Sequence, residues 1–465
     1  MHKPPQPSRR SFLRHAMALS SFGLAARLDV VNLIATAKAQ SAATPGYKAL
    51  VCVFMFGGND SSNMIIPVTN YAQYATVRTA ASNVAIPQAN LLNFTAASQG
   101  GATYGFHPSL GPLQQLYTQG KLAILANVGE LIAPITMAQY KAGTNRPFQL
   151  FSHADQQDAW QGLLVGKAPR TGWGGRMADK LIALNAGQQI PTIVSLQGQA
   201  TFNTGYKTVA LSIPTNGGVA VAGQAADPVS TARFNAMSAL LNTGSSNQLV
   251  TNAATVMQGS LAANAAVNPI LSAALPAVIQ NAFTFNGAQL NTGLAQQLKQ
   301  VARIIEARAA LGMTRQVFIV QQGGYDTHSN TVNNQTNLFN TLAPALNAFY
   351  QYTVAAGIST QVTTFTMSDF NRTFLGNGNA GVDHAWGSHH FVIGGAVKGG
   401  DMTGTFPQLV LKGPDDVGGQ GLWLPTTAVD QMGSTLAKWF GVADVDVDYM
   451  FPNLNNFSTR YLTFI

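Results

Sequence analysis

The apolar run at 49–56, ALVCVFMF, contains no polar position and mixes β-branched with aromatic residues. A strand with one wet face alternates apolar and polar residues. A strand covered on both faces does not, so this run predicts a strand buried between two layers. It breaks at Gly57-Gly58-Asn59-Asp60. Similar, less strictly apolar strand signals recur at 122–128, 192–196, 316–321 and 361–367. Helical periodicity fills several of the gaps, at 108–117, 171–185, 297–311, 338–356 and 427–440. Strands alternating with helices predict an α/β fold, with a largely parallel sheet covered on both faces.

The segment 199–291 departs from this rhythm. It is rich in Ala, Asn, Gly, Thr and Gln, yet apolar residues recur through it (Leu240, Leu249, Val256, Ile270, Ile279). That pattern predicts a helical insertion with long loops rather than a disordered linker. No internal repeat is evident.

The first 39 residues read differently again. Ser8-Arg9-Arg10-Ser11-Phe12-Leu13 sets a basic pair before two large apolar residues. A moderately apolar stretch follows, interrupted by Arg27 and Asp29, and ends at Ala37-Lys38-Ala39, a small-x-small cleavage pattern. The interruptions rule out a bilayer span, which needs roughly 20 consecutive apolar residues. The expectation is a twin-arginine signal peptide over 1–39. The mature chain, 40–465, would then be carried by the twin-arginine translocase to the periplasm or beyond. That route moves folded proteins, often with a metal or cofactor already loaded.

Removing the leader changes the charge. The whole chain is +8 from 26 basic and 18 acidic residues, but six of the basic and one of the acidic lie in 1–39. The remaining +3 gives no electrostatic case for nucleic acid. Only 9% of residues are charged, against about 25% in ordinary soluble domains, so neutral polar residues cover the surface. Cys52, the single cysteine, lies inside the first apolar run and reads as a small buried hydrophobe.

Chemistry concentrates where the strands end. Asp60 follows the first strand. Asp326 and His328, in GGYDTH, follow another, and their spacing of two aims both side chains the same way on an extended backbone. Asp369 follows a third, with Asn371 and Arg372 behind it. Asp383-His384 precedes Trp386-Gly387-Ser388-His389-His390. Ligands of open α/β sheets bind beyond the carboxyl ends of strands, so three of these loops are candidates to converge.

Mixed Asp and His ligands suit zinc, manganese or iron, with zinc or manganese preferred, as one or two divalent ions. Such ions clamp the oxygens of a phosphoryl or sulfuryl centre and acidify a bound water. Arg372 is positioned to hold the remaining anionic oxygens. The plainer reading stands beside this one: Asp-x-His pairs are often structural, and an Asp after a strand often caps the next helix. His389 and His390 are adjacent, so an extended segment turns only one towards a given site. His107, before Pro108, reads as a loop residue near a cap. His153, in FSHADQQDAW, fits a site residue and a buried loop equally well.

Taken together, FGGND, FHPSL, FSHADQQDAW, TGWGGR, GGYDTH, SDFNRT and DHAWGSHHFVIGGAVKGG resemble the domain-of-unknown-function 1501 family over nearly all the mature chain. That family is similar, distantly, to the alkaline phosphatase and sulfatase superfamily. The resemblance implies a three-layer α/β/α sandwich with metal at the strand ends. It implies metal ligation by Asp60, Asp326, His328 and Asp369, with a late histidine among His384, His389 and His390; the full candidate set adds Asp383 and His384 to one of His389 or His390. Phe370 stands where the superfamily often places His directly after the strand-end Asp. The superfamily's hydroxyl nucleophile has no firm counterpart; Ser61 and Ser62 are the nearest hydroxyls, and attack by water is the alternative. The implied activity is hydrolysis of a small anionic phosphate or sulfate ester. The rival is a non-catalytic envelope or surface protein that keeps the fold. The leader reading carries its own test: N-terminal sequencing of exported protein is expected to begin at Gln40, and a chain still starting at Met1 would remove the export signal from the account.

Overall fold

A computed structural model describes residues 46–163, 169–219 and 227–465. The expected signal peptide lies outside the described residues. The central sheet is built from β1 (Lys48–Met55), β2 (Leu122–Gly129), β3 (Ile193–Ser195), β4 (Leu211–Ser212), β5 (Arg315–Gln322), β6 (Val362–Ser368), β7 (Ser388–Gly394), β8 (Met402–Thr403) and β9 (Thr427–Ala428). Across the sheet the order is β8-β2-β7-β6-β1-β5-β3-β4, with β9 also on β2. All pairings are parallel except those of β7, which runs antiparallel to both β6 and β2.

The alternation of β1 builds the layers. Ala49, Val51, Val53 and Met55 pack on one side with α1 (Gly111–Thr118), α4 (Gly293–Glu306) and α5 (Thr331–Ala355). Leu50, Cys52 and Phe54 pack on the other with α2 (His153–Gly162), α3 (Trp173–Leu181) and α6 (Val429–Phe440). Every residue from Ala49 to Met55 is fully buried, which is why the run shows no period of two. The fold is thus an α/β/α sandwich with a mixed, mostly parallel sheet.

Two features differ from the sequence reading. SHHFVIG forms the antiparallel strand β7, where no strand was expected. A small antiparallel sheet also forms from Ile65–Pro67, Leu92–Ala96 and Ala102–Phe106. Within 199–291 the described residues hold helices Pro228–Leu241, Gln248–Ser272 and Ala277–Ala282, with β4 and a two-residue hairpin. Among the described residues no helix is long and apolar enough to cross a membrane.

The topology explains how distant loops meet. β6, β1 and β5 are neighbours and parallel, so the loops carrying Asp369, Asp60 and Asp326 all leave the same edge. β7 is antiparallel to β6, so its entry loop, with Asp383 and His384, arrives at that edge too. A short backbone ladder then fastens this loop to 371–373: Thr373 N–H donates to Asp383 O at 2.9 Å and Ala385 N–H to Asn371 O at 2.8 Å.

Close approach over β1 requires glycine. Gly57 has φ +112°, and a Cβ there would lie 2.4 Å from the Asp326 nitrogen. Gly58, at φ +79°, would drive a Cβ to 2.5 Å from the Phe370 ring. The loop bearing Asp326 therefore lies directly across the end of β1. Gly57→Ala is expected to lower stability by about 2 kcal/mol or more, since it combines left-handed strain with a backbone clash; an unchanged urea midpoint would contradict this packing. Nearby, Asp60 and Arg78 form an ion pair with both side chains sealed from solvent. Arg78→Ala strands a buried carboxylate and is expected to cost about 3–5 kcal/mol in the same measurement, whereas a loss below about 1 kcal/mol would mean Asp60 is solvated.

Candidate metal centre

Three imidazoles surround one carboxylate oxygen. From Asp326 Oδ1, His328 Nε2 is 3.1 Å away, His153 Nε2 3.5 Å and His384 Nε2 3.8 Å. His153, Asp326 and His384 offer ligand atoms that all lie within 4.8 Å of one another. His328 Nε2 also faces His384 Nε2 at 2.9 Å.

The other nitrogen of each ring explains the arrangement. His384 Nδ1 donates to the Phe151 carbonyl oxygen at 2.7 Å. His153 Nδ1 donates to Asp369 Oδ2 at 2.7 Å, and His328 Nδ1 to Asp383 Oδ1 at 2.8 Å. With Nδ1 directed at an oxygen acceptor, the neutral form of each ring turns its Nε2 lone pair inward. Metal-binding histidines are held in this way by their outer partners. His153 Nε2 is shielded from solvent and has no hydrogen-bond partner, which leaves its lone pair directed at the cluster.

Charge agrees with the donor set. The network contains three carboxylates, Asp326, Asp369 and Asp383, and one guanidinium, Arg372, which pairs with Asp326. With the carboxylates ionised the excess is two negative charges, the amount one divalent cation neutralises. Burial alone would raise the Asp326 carboxyl, but the Arg372 hydrogen bond and charge, with His328 and His153 alongside, hold it below the ordinary range. Burial likewise opposes ionisation of Asp383, and His328 and Asn377 outweigh it. Burial lowers the His384 imidazolium, and Arg372, His153 and His328 lower it further against the Phe151 carbonyl. His384 is thereby a neutral donor near pH 7. The residues present fit a divalent transition metal bound by imidazole and carboxylate.

Asp369 stands one shell behind. It is fully buried and accepts from His153, from Gln157 Nε2 at 2.8 Å and from the Gly57 N–H at 3.1 Å. His153 opens α2 and Gln157 lies four residues on, so one helical face delivers both donors to the same oxygen. Phe370, directly after Asp369, packs its ring against His153 and His384 at centroid distances of 4.8 and 4.7 Å. Arg372 is fully buried. Its Nη2 bonds Asp326 Oδ1 at 2.6 Å and the Gly57 carbonyl, and its Nε bonds the Gly58 carbonyl at 2.8 Å. It orients Asp326 rather than reaching outward.

Several expected residues sit elsewhere. Both Asp60 oxygens are engaged, one by Arg78 and the other by the Ser62 N–H at 3.1 Å. Ser61 is fully buried, with its hydroxyl donating to Asn371 Oδ1 at 3.0 Å, and Ser62 is 4% exposed. His389 and His390 lie within β7, buried on opposite sides. His389 Nδ1 accepts from the Asn127 N–H at 3.0 Å while its ring stacks on Phe406, and His390 packs on Trp160. Burial depresses both imidazoles to about 3, so they stay neutral. His107 caps Ser109 through Nδ1 at 3.1 Å, the structural role its position suggested.

His153 is the member that spacing did not single out. It lies 173 residues before Asp326, outside the histidine-rich segment, and its motif holds several other polar residues.

No curated protein matches this chain. Among solved structures, the PsFucS1 sulfatase from Pseudoalteromonas sp. is similar over 90% of this chain and 73% of its own, with 9% identity and a TM-score of 0.29. Residues 47–417 match the family described as "Protein of unknown function (DUF1501)", and the chain belongs to that family.

Proposed function

We propose that this protein is an exported, metal-dependent hydrolase of phosphate or sulfate esters. One observation carries the reading: three histidines, each with Nδ1 held by an oxygen, turn Nε2 towards a single aspartate oxygen. His153, Asp326 and His384 hold the ion. A divalent ion supplies Lewis-acid charge for the anionic oxygens of the ester.

The chain's own groups do the rest. Arg372 fixes Asp326, Asp369 fixes His153, and the Phe151 carbonyl fixes His384. The donor geometry therefore costs no reorganisation when substrate arrives. His328 is the most exposed of the three rings, at 46%, and Asp383 holds the proton on its Nδ1. Its Nε2 is thus a base for an attacking water, in the carboxylate-imidazole arrangement that general-base catalysis uses. Attack by water agrees with the interior positions of Ser61 and Ser62. Those buried hydroxyls equally favour the second reading, a non-catalytic envelope or surface protein that keeps the fold.

The experiment is elemental analysis of the chelator-free mature protein beside His153→Ala and Asp326→Asn, followed by ester turnover. About one equivalent of zinc or manganese is expected in wild type and a marked loss in each variant, with circular dichroism unchanged. His328→Ala is expected to keep the metal and lose at least about a hundredfold in kcat. Metal without turnover on aryl phosphates and sulfates supports the second reading. A wild type that takes up no metal on reloading removes the hydrolase reading and leaves the non-catalytic protein.

A further inference from the structure

We propose that the helix Pro228–Leu241 is the contact of a two-fold dimer of this chain, in which it pairs antiparallel with its own copy. The proposal is independent of the metal centre.

This helix lacks the packing that usually holds a helix in place. None of its 14 residues is buried. A helix of that length is marginal by itself and owes its stability to an apolar face packed on a neighbour. One side is partly covered. Phe234, Met237 and Leu241, spaced three and four apart, are partly buried. Gln258 Nε2, from the helix Gln248–Ser272, donates to the Leu241 carbonyl oxygen and to Asn242 Oδ1, both at 2.9 Å.

The opposite side is apolar as well. Val229, Ala232, Ala236 and Leu240 follow one another at helical spacing and all face solvent, Val229 at 59% and Leu240 at 71%. A helix that is apolar on two sides is ordinarily covered on both. Leu249 and Val250, at the start of the neighbouring helix, add exposed apolar surface of the same kind. Clustered exposure of this sort marks an interaction surface.

Charge selects the partner. Between Arg233 and Lys299 the chain carries no Asp, Glu, Lys, Arg or His. A charged partner finds no counter-charge here, and a helix lying on a membrane surface carries a polar face rich in Lys and Arg. Two copies of an uncharged face meet without burying or opposing charge. Arg233 lies at the edge of the stripe, where its head stays in water.

The order of side chains points the same way. The stripe reads large, small, small, large, and it reads the same in reverse. A two-fold contact presents one patch to itself, so it needs such a pattern. With the helices antiparallel, Leu240 of one meets Val229 of the other, and the central alanines let the backbones approach closely.

The test is light scattering after size exclusion on the mature protein, from about 1 to 100 µM, where a dimer that dissociates on dilution is expected. Leu240→Glu is expected to weaken it at least about tenfold at an unchanged melting temperature, since the side chain is mostly exposed in the single chain. Ala236→Glu is the second variant, should the first not fold. Ala236→Cys is expected to form an interchain disulfide on mild oxidation, because the only native cysteine, Cys52, is buried. Val445→Cys, at a site 87% exposed, is expected to form none. A wild type that is monomeric throughout, or a dimer indifferent to both glutamates, overturns the proposal. So does a monomer that binds phosphatidylcholine–phosphatidylglycerol vesicles through this face, which would assign it to a membrane.

Discussion

A single buried carboxylate organises the functional edge of this protein. Asp369 ends the central strand β6 with no solvent contact and accepts from the Gly57 amide, Gln157 and His153. These three donors come from the loop after β1 and from the start of α2. A carboxylate in the interior is tolerable only when several donors satisfy it. That requirement ties a strand end, a glycine turn and a helix N-terminus into one unit, and it sets the tautomer of His153. Without Asp369, neither the pitch of α2 nor the direction of the His153 lone pair is fixed.

The second constraint is steric. Asp326 reaches its position because its loop crosses the end of β1 where Gly57 has no side chain. Arg372 threads beneath, bonding the Gly57 and Gly58 carbonyls and Asp326 together. The guanidinium thus has its donors spent on positioning. Burial would make such an arginine costly, and the carbonyls and carboxylate around it offset that. The result is a preorganised front rim, with Asp326, His328 and Asp383 half exposed over a fully buried base. A rigid base below an accessible rim suits a centre that must hold a cation and admit a ligand.

Polar residues of the same type divide by burial. His389 and His390 stand five and six residues after His384, yet burial between the sheet and its covering layers makes them packing elements, neutral at any ordinary pH. Asp60 follows its strand much as Asp326 and Asp369 follow theirs, but Arg78 closes over it. The chemistry of the site comes from which members of a repeated pattern remain turned towards the open edge.

The amino-acid sequence determined the layered α/β architecture, because strands covered on both faces are predominantly apolar and five such segments appear between helical ones. It also marked the loops of Asp60, Asp326 and Asp369 as candidates to converge, since loops after parallel strands share an edge. The strand at Ser388–Gly394 escaped because two histidines interrupt its apolar pattern, and their burial depends on partners across the sheet. Tertiary structure alone decided the rest. Strand order put β7 antiparallel beside β6 and brought Asp383-His384 inward. Helix docking brought His153 from far upstream, and a buried arginine claimed Asp60. These are contacts between residues distant along the chain, and no local period encodes them.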